Sequence, residues 1–121
     1  MSHFVFALVC LSIRVLYFKK WHSDGDHLSE DVQLPPYCLN VFVPLIDVPA
    51  AVGPTEFVPT SHMHWGTAET PVVLTANAGQ CIIFDHRLKH RGLANKSALN
   101  RPLVSGMHCR FVIAIKFFGG M

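Results

Sequence analysis

An all-β sandwich or barrel is the fold class the sequence predicts, and three observations predict it. The apolar runs are short and rich in β-branched and aromatic residues. Clusters of Gly, Pro, Asn and Asp break the chain at short, fairly even intervals. No stretch spaces its apolar residues as an amphipathic helix would. The chain has 121 residues, 50% of them hydrophobic and 15% charged, which suits one compact domain with a packed core and argues against disorder. No internal repeat or low-complexity tract is present. An all-β chain deals with its sheet edges by closing the sheet or doubling it. The doubled form, a jelly roll, leaves a pocket between its sheets for a small ligand.

The elements follow in order. Phe4 to Phe18 is almost continuously apolar, interrupted by Ser12 and Arg14 and ended by Lys19-Lys20. A membrane span needs about 20 apolar residues, and a secretory signal carries its positive charge ahead of the apolar run. Residues 1–20 therefore read as an apolar N-terminal segment of one or two buried strands, with a signal-anchor as the alternative, and membrane association is not expected. Trp21-His22-Ser23-Asp24-Gly25-Asp26-His27-Leu28 comes next, then a turn at Leu34-Pro35-Pro36. Tyr37 to Ile46 reads as a buried strand, with Pro44 marking an edge or bulge. Asp47 to Pro54 is a loop. Glu56-Phe57-Val58, Val72 to Thr75 and Gln80 to Asp85 are short strands. His90 leads through a Gly/Asn/Ser-rich turn to Arg101-Pro102-Leu103-Val104, and Cys109 to Phe118 is again apolar and β-branched.

Charge and cysteine usage exclude some classes. The formal net charge of +2 is too small to suggest a nucleic-acid partner. The densest basic run, Arg87, Lys89, Arg91, Lys96 and Arg101, reads as a solvated face. The four cysteines, Cys10, Cys38, Cys81 and Cys109, contain no C-x-x-C pair, so a zinc ribbon is absent. Three of them sit in apolar runs as small buried thiols, which favours a reducing, intracellular setting, with pairing of the four in a secreted chain as the alternative.

The chemistry starts at His22 and Asp24. On a strand, residues two apart share a face, so the pair can hold one metal ion, with a third ligand from elsewhere. A lone His-x-Asp occurs by chance in many chains; its partners give it weight. His86 and His90 both lie beyond the Ile82-Ile83-Phe84 strand and are both candidates for the third ligand. Two imidazoles and one carboxylate make the facial triad of non-haem Fe(II) oxygenases, which leaves coordination positions open. A hairpin after His90 would return Arg101 to the same pocket, where a guanidinium grips a carboxylate with two parallel hydrogen bonds.

Three blocks carry a resemblance. Trp21 to Gly25 holds the H-x-D. Gly53-Pro54-Thr55-Glu56-Phe57-Val58-Pro59-Thr60-Ser61-His62 is a segment running into a turn that ends in histidine. Gly79 to Ser97 holds a distal H-x-G-x-x-N-x-S, closed by Arg101. In order and spacing they resemble the phytanoyl-CoA dioxygenase family over residues 21–104. The resemblance implies a double-stranded β-helix, a cupin-like jelly roll, with Fe(II) in its mouth. It implies that His22, Asp24 and His90 are the catalytic iron ligands, His90 being chosen over His86 because it stands ahead of Gly92, Asn95 and Ser97. Arg101 then pairs with the far carboxylate of 2-oxoglutarate, and dioxygen is the other co-substrate. Asn40 occupies a strand position where many relatives carry Trp near the co-substrate, so it too is a cofactor-binding candidate. Ser61 and His62 read as structural, His27 as a pocket-wall candidate, and His64 has no motif role.

The activity implied is hydroxylation of a small organic substrate that the residues do not name. The alternative is an inactive jelly-roll fragment that keeps its metal site. A cupin-like Mn or Zn site is a third reading, against which the spacing of Arg101 speaks. Residues 1–20 and the apolar tail 105–121 do not match the family pattern, so the chain reads as an incomplete, truncated member.

Overall fold

The computed structural model describes residues 3–12, 17, 19–66 and 69–110. These form strands β1 (His3–Ser12), β2 (Cys38–Pro44), β3 (Thr55–Phe57), β4 (Val72–Leu74), β5 (Ile82–Asp85), β6 (His90–Gly92) and β7 (Arg101–Arg110), with one 3-10 turn at Ala50–Val52. They build two antiparallel sheets, one ordered β1-β7-β2-β5 and the other β4-β3-β6. This is the all-β jelly roll that the short apolar runs predict.

Period-two alternation sets the faces. On β2, Cys38, Asn40 and Pro44 are buried while their neighbours are partly exposed. On β5, Phe84 is buried and Ile83 is turned outward, as a half-buried strand requires. The centre of the core is a ring cluster drawn from both sheets. Phe84 meets Phe42 and Phe57 at centroid distances of 4.9 Å each, in the edge-to-face arrangement that aromatic pairs prefer. Phe57 stands opposite His90 in the β3–β6 register, which draws a histidine into this apolar cluster.

The strand boundaries differ from the sequence reading in instructive places. His90–Gly92, read as the entry to a turn, is a strand because β3 offers it a matching ladder. β7 is one strand rather than two separate apolar runs. It continues through Ser105-Gly106-Met107-His108 because β1 pairs along one side of it and β2 along the other. Residues 111–118 of the expected apolar tail lie outside the described residues. Pro44 is the last residue of β2, paired to Leu103 of β7 on one side and past the β5 ladder, which stops at Phe42, on the other, so it stands at an edge, where a missing N–H disturbs the ladder least. Of the N-terminal apolar run, His3–Ser12 is a strand paired to β7 throughout, and residues 13–16 and 18 lie outside the described residues. No helix among the described residues is long and apolar enough to cross a membrane.

The expectation of reduced cysteines fails for one pair. Cys38 and Cys109 stand opposite each other in the β2–β7 register and are joined by a disulfide, while Cys81 is exposed and free.

The basic run is not a solvated face either. Lys89 and Lys96 are exposed, but Arg87 is 3% exposed and makes a fork onto Asp85, with Nε donating to Oδ1 at 2.9 Å and Nη2 donating to Oδ2 at 2.8 Å. A further donor of Arg87 goes to the Leu34 carbonyl. Arg91 donates to Glu56 at 2.7 Å and lies 4.2 Å over the Trp21 ring. Burial would raise the Asp85 pKa, but the hydrogen bonds and charge of Arg87 outweigh it and hold the carboxyl below its usual value. The stabilisation is therefore present above the ordinary pKa of 3.8 and is lost as pH falls through the lowered value. Removing one partner strands a buried charge. Arg87→Met is expected to cost about 3–5 kcal/mol, read as a lowered midpoint in urea unfolding at neutral pH.

Candidate metal centre

Residues 19–25 run alongside β6 and are tied to it by backbone. Lys19 N–H donates to Gly92 O at 3.1 Å, His22 N–H donates to His90 O at 3.1 Å, and His90 N–H returns a bond to His22 O at 2.9 Å. The ladder ends there. His22 is an isolated bridge, not part of a longer strand, and Asp24 lies in a bend whose N–H, with that of Gly25, donates to the His86 carbonyl. Strand geometry therefore does not align His22 with Asp24, as the sequence reading assumed. The bend does so, by folding the carboxylate back between two histidines.

The result is a compact donor set. Nε2 of His22 lies 3.6 Å from Oδ1 of Asp24, and Nε2 of His90 lies 3.5 Å from Oδ2. The two imidazole centroids are 4.4 Å apart. One potential ligand atom from each of the three residues falls within 4.8 Å of the others. Nδ1 of His22 is 2.9 Å from Lys20 O, and Nδ1 of His90 is 2.9 Å from Leu88 O. A carbonyl only accepts, so both Nδ1 atoms carry the proton and both Nε2 lone pairs are left to bind. The chemistry of this set fits a divalent first-row metal such as Fe(II). Among the described residues, no other group of three His, Cys, Asp or Glu side chains meets that closeness.

Burial tunes His90. It is 4% exposed, with Phe84 at 4.9 Å and Phe57 at 5.9 Å from its ring. Desolvation in this setting lowers its pKa below the ordinary value, against the opposing pull of the Leu88 carbonyl and Asp24. The imidazole is thus kept in the neutral form that a metal needs.

A cavity of about 150 Å³ opens beside the cluster. His22 and His90 form one part of its lining, and Arg101, Lys19, Thr55 and Ser105 another. Arg101 does not arrive by a hairpin. The chain leaves β6 in one sheet and enters β7 in the other, with Arg101 as the first residue of β7. The intervening loop is fixed locally: Asn95 accepts from the N–H and the hydroxyl of Ser97 and donates to Leu99 O. Gly53, at φ 79°, lets the Leu93–Ala94 backbone lie against it where a Cβ would collide. Gly92 lies close to the Arg101 guanidinium: a Cβ there would stand 3.4 Å from it, an ordinary contact.

The other candidates fall elsewhere. Asn40 is buried at 3% exposure and touches the cluster itself, its Nδ2 donating to Asp24 Oδ2 at 2.6 Å. His86 lies beyond Asn40, with Nδ1 3.1 Å from Asn40 Oδ1, and the donor set closes through His90. The sequence signal for this contact was Asn40 itself, an amide inside an apolar strand, since a buried polar group needs a partner. Ser61 caps the local backbone, donating to Val58 O and accepting from Lys89 N–H. His27 stacks on His64 at 4.0 Å and is not part of the cavity lining.

The fold and the cluster together define a class: a jelly roll carrying a two-histidine, one-carboxylate set beside an arginine-lined cavity. The chain belongs to the phytanoyl-CoA dioxygenase (PhyH) family, whose model matches residues 17–103. Solved structures share the fold. SnoN, a non-heme alpha ketoglutarate dependent epimerase from nogalamycin biosynthesis, is 23% identical with a TM-score of 0.64, the match covering 86% of this chain and 44% of that one. EctD from S. alaskensis, with 2-oxoglutarate and 5-hydroxyectoine, is 20% identical with a TM-score of 0.64, covering 87% of this chain and 44% of that one. AviO1 from Streptomyces viridochromogenes is 20% identical with a TM-score of 0.65, covering 91% and 50%. The chain thus spans half or less of the length of these structures.

The His90 shift has a measurable sign. Its folded pKa lies below the ordinary 6.5, so its contribution to stability is present above that value and lost as pH falls through the lowered one. His27 shifts the same way, through burial and the neighbouring His64. Urea midpoints of the metal-free protein are expected to drop between pH 7.5 and pH 5.5, and His90→Gln is expected to make that drop shallower.

Proposed function

We propose that this chain holds Fe(II) through His22, Asp24 and His90, binds 2-oxoglutarate through Arg101, and oxidises a small organic substrate. The observation that carries the reading is the meeting of two free Nε2 atoms and a carboxylate beside a cavity shared with Arg101. Family membership, and the fold shared with an alpha ketoglutarate dependent epimerase and with EctD bound to 2-oxoglutarate, support it. An SnoN structure with Fe3+, alpha ketoglutarate and nogalamycin RO supports the cofactor pair and a small-molecule substrate. The chemistry such an ion supplies when bound is the coupling of 2-oxoglutarate decarboxylation to oxidation of a C–H bond by dioxygen.

The chain's own residues do the rest. His22 and His90 are held as Nδ1–H tautomers by the Lys20 and Leu88 carbonyls, so no proton must leave either Nε2 for metal to bind. Asp24 supplies the one anionic ligand. Arg101 supplies a planar fork of donors for the carboxylate at the far end of the co-substrate. Phe42, Phe57 and Phe84 back the His90 ring and keep water from it.

The test is anaerobic titration of the protein with Fe(II) and 2-oxoglutarate, followed by succinate release on admitting air. Asp24→Ala is expected to abolish iron binding. Arg101→Ala is expected to spare iron and weaken 2-oxoglutarate by about 2–5 kcal/mol, roughly 30-fold or more. Parent-like binding by both variants overturns the assignment. Binding without succinate would favour the second reading, a jelly roll that keeps its metal site but does not turn over.

A further inference from the structure

We propose that His86 and Asn40 form a positioning clamp that sets the Asp24 carboxylate for metal binding. The proposal rests on the metal-binding reading above and adds two residues to it, neither of them a ligand.

The direction of each hydrogen bond follows from chemistry. A carboxylate only accepts, so the Asn40 atom at 2.6 Å from Asp24 Oδ2 is the amide nitrogen. The amide plane then turns Oδ1 toward His86, where Nδ1 lies at 3.1 Å. That oxygen also only accepts, so His86 carries its proton on Nδ1. Donation runs one way, from His86 to Asn40 to Asp24. The final bond is charge-assisted and lies on a side chain only 3% exposed, where such bonds are strongest.

His86 holds Asp24 by a second hand. Its backbone carbonyl accepts from the N–H groups of both Asp24 and Gly25, at 3.0 and 3.1 Å. One residue thereby fixes the bend of the ligand-bearing loop and, through Asn40, the rotation of the ligand's side chain. The His86 ring is itself wedged in place. It lies flush against Gly25, where any Cβ would overlap it, and Tyr37 meets it edge-on at 6.1 Å. The Tyr37 hydroxyl donates to Asp26 O at 2.8 Å, tying the same loop down one residue further on. Asp24 needs this support. Its side chain is 34% exposed, and a carboxylate in an open bend has several rotamers available, only some of which point between His22 and His90.

Cobalt(II) alone serves as the probe, since its visible spectrum reports the ligand set. Asn40→Leu is expected to weaken Co(II) binding about 10–100-fold and to shift the Co(II) absorption, while the metal-free melting temperature stays near the parent's. His86→Phe is expected to weaken it about tenfold. The double variant is expected to bind no more weakly than Asn40→Leu alone, because His86 acts on the carboxylate through Asn40. Additive losses, or parent-like affinity in either single variant, would overturn the clamp. Should Asn40→Leu fail to fold, nitrogen-15 NMR of the metal-free parent decides: an Nδ1–H tautomer at His86 supports the clamp and an Nε2–H tautomer sinks it. That measurement needs no metal, so a parent that fails to bind Co(II) overturns the metal-centre reading while the tautomer still judges the clamp.

Discussion

Two backbone hydrogen bonds between His22 and His90 are the constraint on which the site depends. Each residue donates to the other's carbonyl, so the two Cα atoms are held face to face while their imidazoles reach the same space. Side-chain forces alone would not bring two neutral, partly desolvated imidazoles together beside a carboxylate. The backbone does it in advance, and the cost of gathering the donors is met when the fold forms. The bridge is in turn an extension of the sheet that pairs β3 with β6. The candidate metal centre is therefore an outgrowth of a β-ladder that the chain needs in any case to satisfy its buried backbone groups.

Much of the fold was legible because strands announce themselves through local composition. The runs around Cys38–Pro44, Thr55–Phe57, Val72–Leu74 and Ile82–Asp85 are short, β-branched or aromatic, and closed by turn residues. Less visible were features that depend on distant partners. His90–Gly92 has no strand-like composition and is a strand only because β3 lies beside it. β7 passes through Gly106 because it is paired on both sides. The Cys38–Cys109 bridge follows from register, which no spacing rule supplies.

The candidate site divides in the same way. His22, Asp24, His90 and Arg101 were singled out from the order of motifs; the structure brings ligand atoms of the first three within 4.8 Å of one another, and His22, His90 and Arg101 line one cavity. Their geometry was not legible. The bend at Asp24 is set by a carbonyl from His86, far along the chain. Asn40 was singled out as a cofactor-binding candidate because relatives carry Trp at its strand position; in the structure it hydrogen-bonds Asp24 and does not line the cavity. The basic run from Arg87 to Arg101 shows the limit of counting charges. Arg87 turns inward to Asp85, its near neighbour in the chain, and Arg91 to Glu56, a distant one that linear sequence leaves unconnected.

The crossing between β6 and β7 gives the cavity a mechanical character. His90 belongs to one sheet and Arg101 to the other, with an eight-membered loop pinned by Asn95 between them. A molecule that engages both ends of the cavity is a crossbar between the two leaves of the sandwich. Its grip resists any sliding or parting of the sheets, and any such parting pulls its two anchors apart. A ligand spanning His90 and Arg101 would then tie the two sheets together, so that its binding and the stiffness of the sandwich would rise and fall as one.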